Sequence, residues 1–262
     1  MIGFIGGGNM AEALIKGMKT HGMKDILVSE PMEIRRKYLE DTYEVTTTNI
    51  NRTVASSCSS IVLAVKPQHI DSVLEEITDL VNDEKTVVSI AAGITLDYLQ
   101  SKLKTKRLVR AMPNTPAMVQ EGITVMSLCE CFSNREMAIV REMFMAVGKV
   151  LILPEHYMDA VTALSGSGPA FIALFVEAME EAGIAMGLTD YNASELAVQT
   201  LIGTARFLEE GIPPSKIREM VTSPGGTTAA GLMVFKEKGL NGIVIDALLA
   251  ARKRASELGR RG

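Results

Sequence analysis

The chain opens on a short apolar run, Ile2–Ile5, that gives way at once to Gly6-Gly7-Gly8. Met10, Ala13, Leu14, Ile15 and Met18 then recur at helical spacing, so the start predicts strand, glycine turn, helix. Further apolar runs follow at Ile26–Val28, Ser60–Val65, Thr86–Ile90 and Arg107–Met112, separated by helical patterns. Ser60–Val65 is apolar almost throughout, as expected of a parallel strand covered on both faces, and Pro67 suits the first turn of the next helix. A strand near Gly122–Ser127, a helix over Arg135–Ala146 and the run Val150–Leu153 complete an α/β, doubly wound sheet. From His156 onward the pattern becomes helical only. The expected division is therefore a dinucleotide-binding domain, 1–153, and an all-helical domain, 154–262, with the boundary near Pro154.

The glycine turn carries the first chemical signal. Gly6-x-Gly8-x-x-Ala11 spans the strand–helix junction. Gly6 permits a tight turn, Gly8 lets the backbone approach a pyrophosphate, and Ala11 lets helix pack on strand. The phosphates would sit at the positive end of the helix. This predicts a Rossmann-type fold. Glu30 lies about 20 residues further on, where an acidic residue reads the ribose 2′-hydroxyl and favours NAD. Ser29 is suited instead to a 2′-phosphate, and Arg35 and Arg36 follow, either as phosphate partners or as a solvated helix face. Coenzyme choice stays open on these residues. Because ligands in such sheets bind beyond the strand carboxyl ends, Gly6–Ala11, Ser29-Glu30, Ala64–Pro67, Ala91–Gly93 and Met112–Thr115 should rim one crevice.

In the second half, Ser165–Pro169 reads as a loop and Pro169 begins a helix to about Gly187. Phe171, Ile172, Leu174, Phe175, Val176, Met179, Ile184 and Met186 make that helix apolar almost all round, with only Glu177, Glu180 and Glu181 charged. Ile243–Ala251 is similar. Such helices must be buried, and a helical domain this small has little depth to bury them. A second subunit, interleaved across a two-fold axis, is the economical cover. Between these helices Ser223-Pro224-Gly225-Gly226-Thr227-Thr228 precedes another helix. Bare glycine N–H groups, a favourable dipole and two hydroxyls suit a carboxylate; plain N-capping by Thr227 or Thr228 is the alternative.

Composition narrows the field. The chain has 262 residues, 47% of them hydrophobic, and a net charge of −4. No basic block stands out and aromatics are 5% with no Trp, so nucleic acid is not the expected partner. Cys58, Cys129 and Cys131 match no zinc spacing and read as small hydrophobes in a reducing compartment. His21, His69 and His156 stand apart, and no metal cluster is expected. No secretory leader is recognisable and no apolar run is expected to reach the roughly 18 residues of a spanning helix, so the expected location is cytoplasmic. One absence is chemical: no lysine occurs between Lys149 and Lys216. Two-domain dehydrogenases of β-hydroxy acids place a lysine on the long helix of the second domain, because the alkoxide formed needs a proton donor. Reduction of a C=N bond needs less acid help. A rival reductase of this architecture, acting on a β-hydroxy acid or on a different cyclic imine, or a non-catalytic nucleotide-binding scaffold, would share the fold.

Gly3-Phe4-Ile5-Gly6-Gly7-Gly8-Asn9-Met10-Ala11, Ala64-Val65-Lys66-Pro67, Arg110–Pro116, Leu164–Phe171 and Ser223–Thr228 together resemble the pyrroline-5-carboxylate reductase family, in the family's order and over nearly the whole chain. The resemblance implies reduction of the cyclic imine 1-pyrroline-5-carboxylate to L-proline, the last step of proline biosynthesis, with NADPH or NADH. It implies a Rossmann domain followed by a helical dimerisation domain, with dimers often assembled into rings of five. By position it implies that Gly6, Gly7, Gly8, Asn9, Met10 and Ala11 hold the pyrophosphate. Ser29 would face the adenosine ribose, and Asn51 would contact the adenosine end. Ala64, Val65, Lys66 and Pro67 would line the nicotinamide side, with Met112, Pro113 and Asn114 closing over it. Gly225, Gly226, Thr227 and Thr228 would receive the substrate carboxylate, Thr228 as the catalytic residue at the ring nitrogen, with Ser165 bordering the site. Glu30 beside the ribose departs from the family pattern.

Overall fold

The computed structural model describes residues 1–129 and 134–259; Cys131 and the tail 260–262 lie outside them. The sheet strands are β1 (Ile2–Ile5), β2 (Ile26–Ser29), β3 (Thr46–Thr48), β4 (Ser60–Leu63), β5 (Thr86–Ser89), β6 (Leu108–Met112), β7 (Gly122–Leu128) and β8 (Gly148–Ile152). Their order is β3-β2-β1-β4-β5-β6-β7-β8. All neighbours are parallel except β6 and β7. The antiparallel step follows from chain length: the connection 113–121, mostly the 3₁₀ turn Thr115–Val119, is shorter than the dozen or so residues a parallel crossover requires. The helices of this part are α1 (Asn9–Thr20), α2 (Glu33–Tyr43), α3 (Asn51–Ser57), α4 (Ile70–Ile77), α5 (Leu96–Lys102) and α6 (Asn134–Met145).

Two apolar layers flank the sheet. On one side Phe4, Val28, Val62, Val88, Val109 and Met126 pack with Leu14, Ile15 and Met18 of α1 and Met143 and Phe144 of α6. On the other, Ile5, Leu27, Ile61, Leu63, Val87 and Leu108 pack with Val54, Leu74, Ile77 and Leu99. Alternate residues of one strand thus feed opposite layers, which explains the continuous apolar runs. β3 is a threonine edge strand with no hydrophobic signature, and the sequence pattern does not announce it.

The helical part contains α7 (Met158–Val161), α8 (Gly168–Ala185), α9 (Asp190–Glu209), α10 (Pro214–Val221), α11 (Thr227–Glu237) and α12 (Leu240–Gly259). By compactness the chain divides into Met1–Ser167 together with the end of α12 from Ala250, and Gly168–Leu249. These units differ from the division at Pro154: residues 154–167 pack with the sheet, where Glu155 Oε1 accepts the Leu96 N–H at 2.8 Å and pairs with buried Arg110 at 3.0 Å. In the second unit Gly183 of α8 lies against Ala193 of α9, where a methyl group on Gly183 would come within 2.9 Å of the Ala193 Cβ. Phe175 packs on Phe235 with ring centroids 6.4 Å apart.

The apolar helices are not covered within one chain. Gly183 is the buried residue of α8, and Leu174 and Ile243 are 65% and 59% exposed. The expectation that no run is long and apolar enough to span a bilayer also needs correction. The helical stretch Glu155–Ala185 meets that test by length and composition, with a mean hydropathy of 1.4. The coiled appearance of Ser165–Gly168 in the sequence hides the continuity, because serine and glycine there build a turn of helix rather than a loop.

Candidate functional site

The sheet reverses its strand order between β1 and β4, which opens a crevice beyond their carboxyl ends. The loops that follow meet there. Gly6 has φ +99°, a left-handed conformation, and a Cβ on it would approach the Ala64 carbonyl oxygen to 2.7 Å. Both facts demand glycine. Gly8 is different. It precedes α1 at φ −70° and ψ −178°, which any residue adopts, and a Cβ there would meet no atom within 4 Å. Nothing in the protein itself requires glycine at Gly8, so the space above it suits a ligand's close approach. No side chain caps α1, which leaves the first-turn N–H groups of Asn9, Met10 and Ala11 presented to a pyrophosphate. The residues therefore fit a dinucleotide. Ala64 and Val65 are half-buried beside Gly6, and Lys66 and Pro67 are exposed at the 3₁₀ turn Pro67–His69.

A polar network fixes the glycine turn from outside. Glu30 Oε2 accepts the Gly7 N–H and Oε1 accepts the Met32 N–H, each at 3.0 Å. Arg35 Nε donates to the Gly7 carbonyl at 2.7 Å, and its Nη2 pairs with Glu12. Glu12 also accepts the hydroxyls of Tyr38 at 2.8 Å and Tyr43 at 2.7 Å. Burial pushes the Glu12 carboxyl up, but hydrogen bonds from Tyr43, Arg35 and Tyr38 outweigh it and hold the group below its ordinary 4.5. Arg36 Nη1 donates to the Glu30 and Pro31 carbonyls, both at 2.8 Å. Neither arginine lies on a solvated helix face; Arg35 braces the glycine turn and Arg36 the segment that follows β2.

Ser29 and Asn51 come together, but not as two parallel ribose contacts. Ser29 is buried, and its hydroxyl donates to Asn51 Oδ1 at 2.6 Å. The Asn51 amide donates to Glu76 at 2.8 Å. Ser29 thus orients Asn51 from beneath.

Beyond β6, Met112, Pro113 and Asn114 meet the predicted serine–glycine loop, which the structure builds as one π-helical turn, Thr162–Gly166, running into α8. The cause is local. Ser165 and Thr162 hydroxyls donate back to the carbonyls four residues earlier, at 2.9 and 2.8 Å. Pro169 lacks the N–H that a regular helix would return to the Ser165 carbonyl. Asn114 Nδ2 donates to that carbonyl instead, at 3.2 Å, while its Oδ1 accepts the Ile123 N–H at 2.9 Å. A methyl on Gly166 would come within 3.1 Å of Met112 Cε. Such single π turns often occur at functional sites. The pairing of Arg110 with Glu155 was not expected from sequence; an arginine within an apolar strand was its one signal.

In the second unit, α11 starts after Gly226 with no side-chain cap, so capping by Thr227 or Thr228 is not observed. Gly225 has φ +69° and open space where a Cβ would stand. The first-turn N–H groups at this helix start have no side-chain partner. The histidines play no comparable part: His21 Nδ1 bonds the Gly17 carbonyl at 2.8 Å, His69 is exposed, and His156 packs on Tyr157. Among the described residues no cluster of His, Cys, Asp and Glu is disposed to hold a metal. Cys58 is buried and Cys129 half-buried.

Two family models match the chain: "NADP oxidoreductase coenzyme F420-dependent" over residues 1–93 and "Pyrroline-5-carboxylate reductase dimerisation" over 155–258. A pyrroline-5-carboxylate reductase of Synechocystis sp. is 41% identical, with 99% of this chain and 98% of that protein covered. A solved pyrroline-5-carboxylate reductase from Coxiella burnetii superposes with a TM-score of 0.91 at 37% identity, covering 98% of this chain and 97% of that one. The pyrroline carboxylate reductase of Plasmodium falciparum, solved with NADP bound, gives 0.89 at 28% identity over 98% and 97% of the two chains.

Proposed function

The chain belongs to the pyrroline-5-carboxylate reductase family, and on that premise we propose that it reduces 1-pyrroline-5-carboxylate to L-proline, the closing step of proline biosynthesis. What carries the reading is the presence, in one chain similar to these enzymes over nearly its full length, of two helices that start behind a glycine with no side-chain cap, at Gly8 and at Gly226. The first suits a pyrophosphate and the second a carboxylate.

Gly6, Gly7, Gly8, Asn9, Met10 and Ala11 hold the coenzyme phosphates, and Asn51, oriented by Ser29, meets the adenosine end. Ala64, Val65, Lys66 and Pro67 line the nicotinamide side, with Met112, Pro113 and Asn114 opposite. When bound, NADPH or NADH supplies the hydride. Gly225, Gly226 and Thr227 hold the substrate carboxylate, Thr228 donates a hydrogen bond to the ring nitrogen, and Ser165 borders the site. Thr228 is thus the catalytic residue, its hydroxyl passing a proton to the nitrogen as the C=N bond is reduced and regaining one from solvent water. Most of the acceleration comes from orientation and effective concentration rather than from a strong acid. The lysine-free stretch between Lys149 and Lys216 favours this imine chemistry over reduction of a hydroxy-acid carbonyl.

Residues 154–262 serve as the substrate and dimerisation domain, supported by the family model over 155–258. The apolar face of Glu155–Ala185 is covered by a second subunit rather than by lipid, in a cytoplasmic homodimer that can close into a ring of five dimers. Coenzyme oxidation, followed by nicotinamide absorbance with pyrroline-5-carboxylate and separately with a β-hydroxy acid's keto form, tests the reading. Turnover is expected with the cyclic imine alone, yielding proline. Absence of proline with both NADPH and NADH would remove the assignment.

A further inference from the structure

We propose that Glu30 makes this chain select the coenzyme that lacks a 2′-phosphate, because its own carboxylate already occupies the anion seat at the end of β2. The inference rests on the coenzyme reading above and sharpens it.

Glu30 follows β2 at the adenosine side of the crevice, where Rossmann-type folds read the ribose. Its two oxygens accept the N–H groups of Gly7 and Met32, each at 3.0 Å. The Glu30 N–H goes to the Thr48 carbonyl at 2.9 Å, and Pro31 has none. The main-chain donors that a phosphate would seek at this turn are therefore spent on an internal carboxylate. Of the nearby cations, Arg35 and Arg52 are paired with carboxylates, and Arg36 is tied to main-chain carbonyls beside Glu30. Arg35 serves Gly7 and Glu12. Arg36 Nη1 serves the carbonyls of Glu30 and Pro31. Arg52 forks onto Asp79 at 2.7 and 2.8 Å. The Asn51 amide adds a second carboxylate, Glu76, to this end of the sheet.

A ribose 2′-hydroxyl can donate to Glu30, whose oxygens keep lone pairs beyond those used by Gly7 and Met32. A 2′-phosphate brings close to two negative charges and no donor in its ionised form. It would meet a like charge that the surrounding N–H groups hold in place.

Calorimetric titration of the full-length enzyme with NADH and NADPH, and with AMP and adenosine 2′,5′-bisphosphate, tests this without turnover. NADH and AMP are expected to bind about tenfold or more tightly than their 2′-phosphorylated counterparts. Glu30→Ser frees the Gly7 and Met32 N–H groups beside Arg36, and the preference should reverse. Glu30→Gln keeps the side chain's size and one acceptor; the ratio should narrow toward unity while Tm is maintained. If the unsubstituted enzyme binds NADPH as tightly as NADH or more so, the proposal is overturned. If both variants weaken the two coenzymes in parallel and keep their ratio, Glu30 is only a brace for the glycine turn and the proposal is likewise overturned. Failure of the unsubstituted chain to bind any of the four ligands overturns the coenzyme reading and this inference together.

Discussion

Gly6 and Gly8 sit two positions apart in one turn, and the fold constrains them very differently. Gly6 answers to the protein, through its positive φ and the Ala64 carbonyl; at Gly8 no contact within the protein demands glycine, and the phosphate cradle proposed there would. Gly8→Val should therefore leave Tm nearly unchanged and abolish coenzyme binding in calorimetry, while normal affinity would remove the phosphate cradle from Gly8. Gly6→Ala should instead unfold the protein at lower temperature, by roughly 1–3 kcal/mol for strain alone. Thr228→Ala is expected to lower kcat about 10- to 100-fold, the lower range for a proton-donating contact; unchanged kinetics would exclude Thr228 from the mechanism. Glu12 carries a pH dependence. Its folded pKa lies below the ordinary 4.5, so the carboxylate adds stability that is complete above that pH and is lost as pH falls through the folded value. Urea titrations should find Glu12→Gln less stable than the unsubstituted protein at pH 7, with the gap closing in acid.

At the scale of elements, the π-helical turn and Asn114 form one device. Pro169 leaves the Ser165 carbonyl without its helical donor, and the Asn114 amide replaces it while also holding β7 through Ile123. Asn114→Leu strips partners from two main-chain groups, at about 1–3 kcal/mol for each left buried and unpaired. Because Met112 touches Gly166, kcat should fall while the affinity for the coenzyme's adenosine fragment is retained. An unchanged kcat would show that the π turn does not depend on this bond. The strands of the sheet were legible because parallel strands buried on both faces are apolar without interruption. β3 was not, since an edge strand of three threonines buries too little to leave a pattern. The turn at Ser165 reads as a loop because serine and glycine signal loops on average; here the Ser165 and Thr162 hydroxyls bond back along the helix.

For the whole molecule, the decisive quantity is apolar area that one chain leaves in water. Phe171, Ile172, Leu174, Ile243, Val244 and Ile245 are all exposed, far more than a lone soluble domain tolerates in one region. Light scattering should give at least twice the 28.3 kDa of the single chain. Leu174→Glu should shift the population toward monomer and reduce activity in parallel. A wild-type monomer at micromolar concentration would contradict the dimer.

Periodicity and glycine placement by themselves determined the doubly wound sheet, its switch-point crevice and the two glycine-led helix starts, because each depends on a few neighbouring residues. The local sequence also pointed to the chemistry, through the lysine-free stretch between Lys149 and Lys216 and a threonine pair behind two glycines. What only tertiary structure decided is which charged and polar groups are already engaged. Glu30 and Arg35 could each have faced a ligand or the protein. Their partners, Gly7 and Glu12, are distant in sequence, and hydrogen bonding at that range is settled only when the chain is folded.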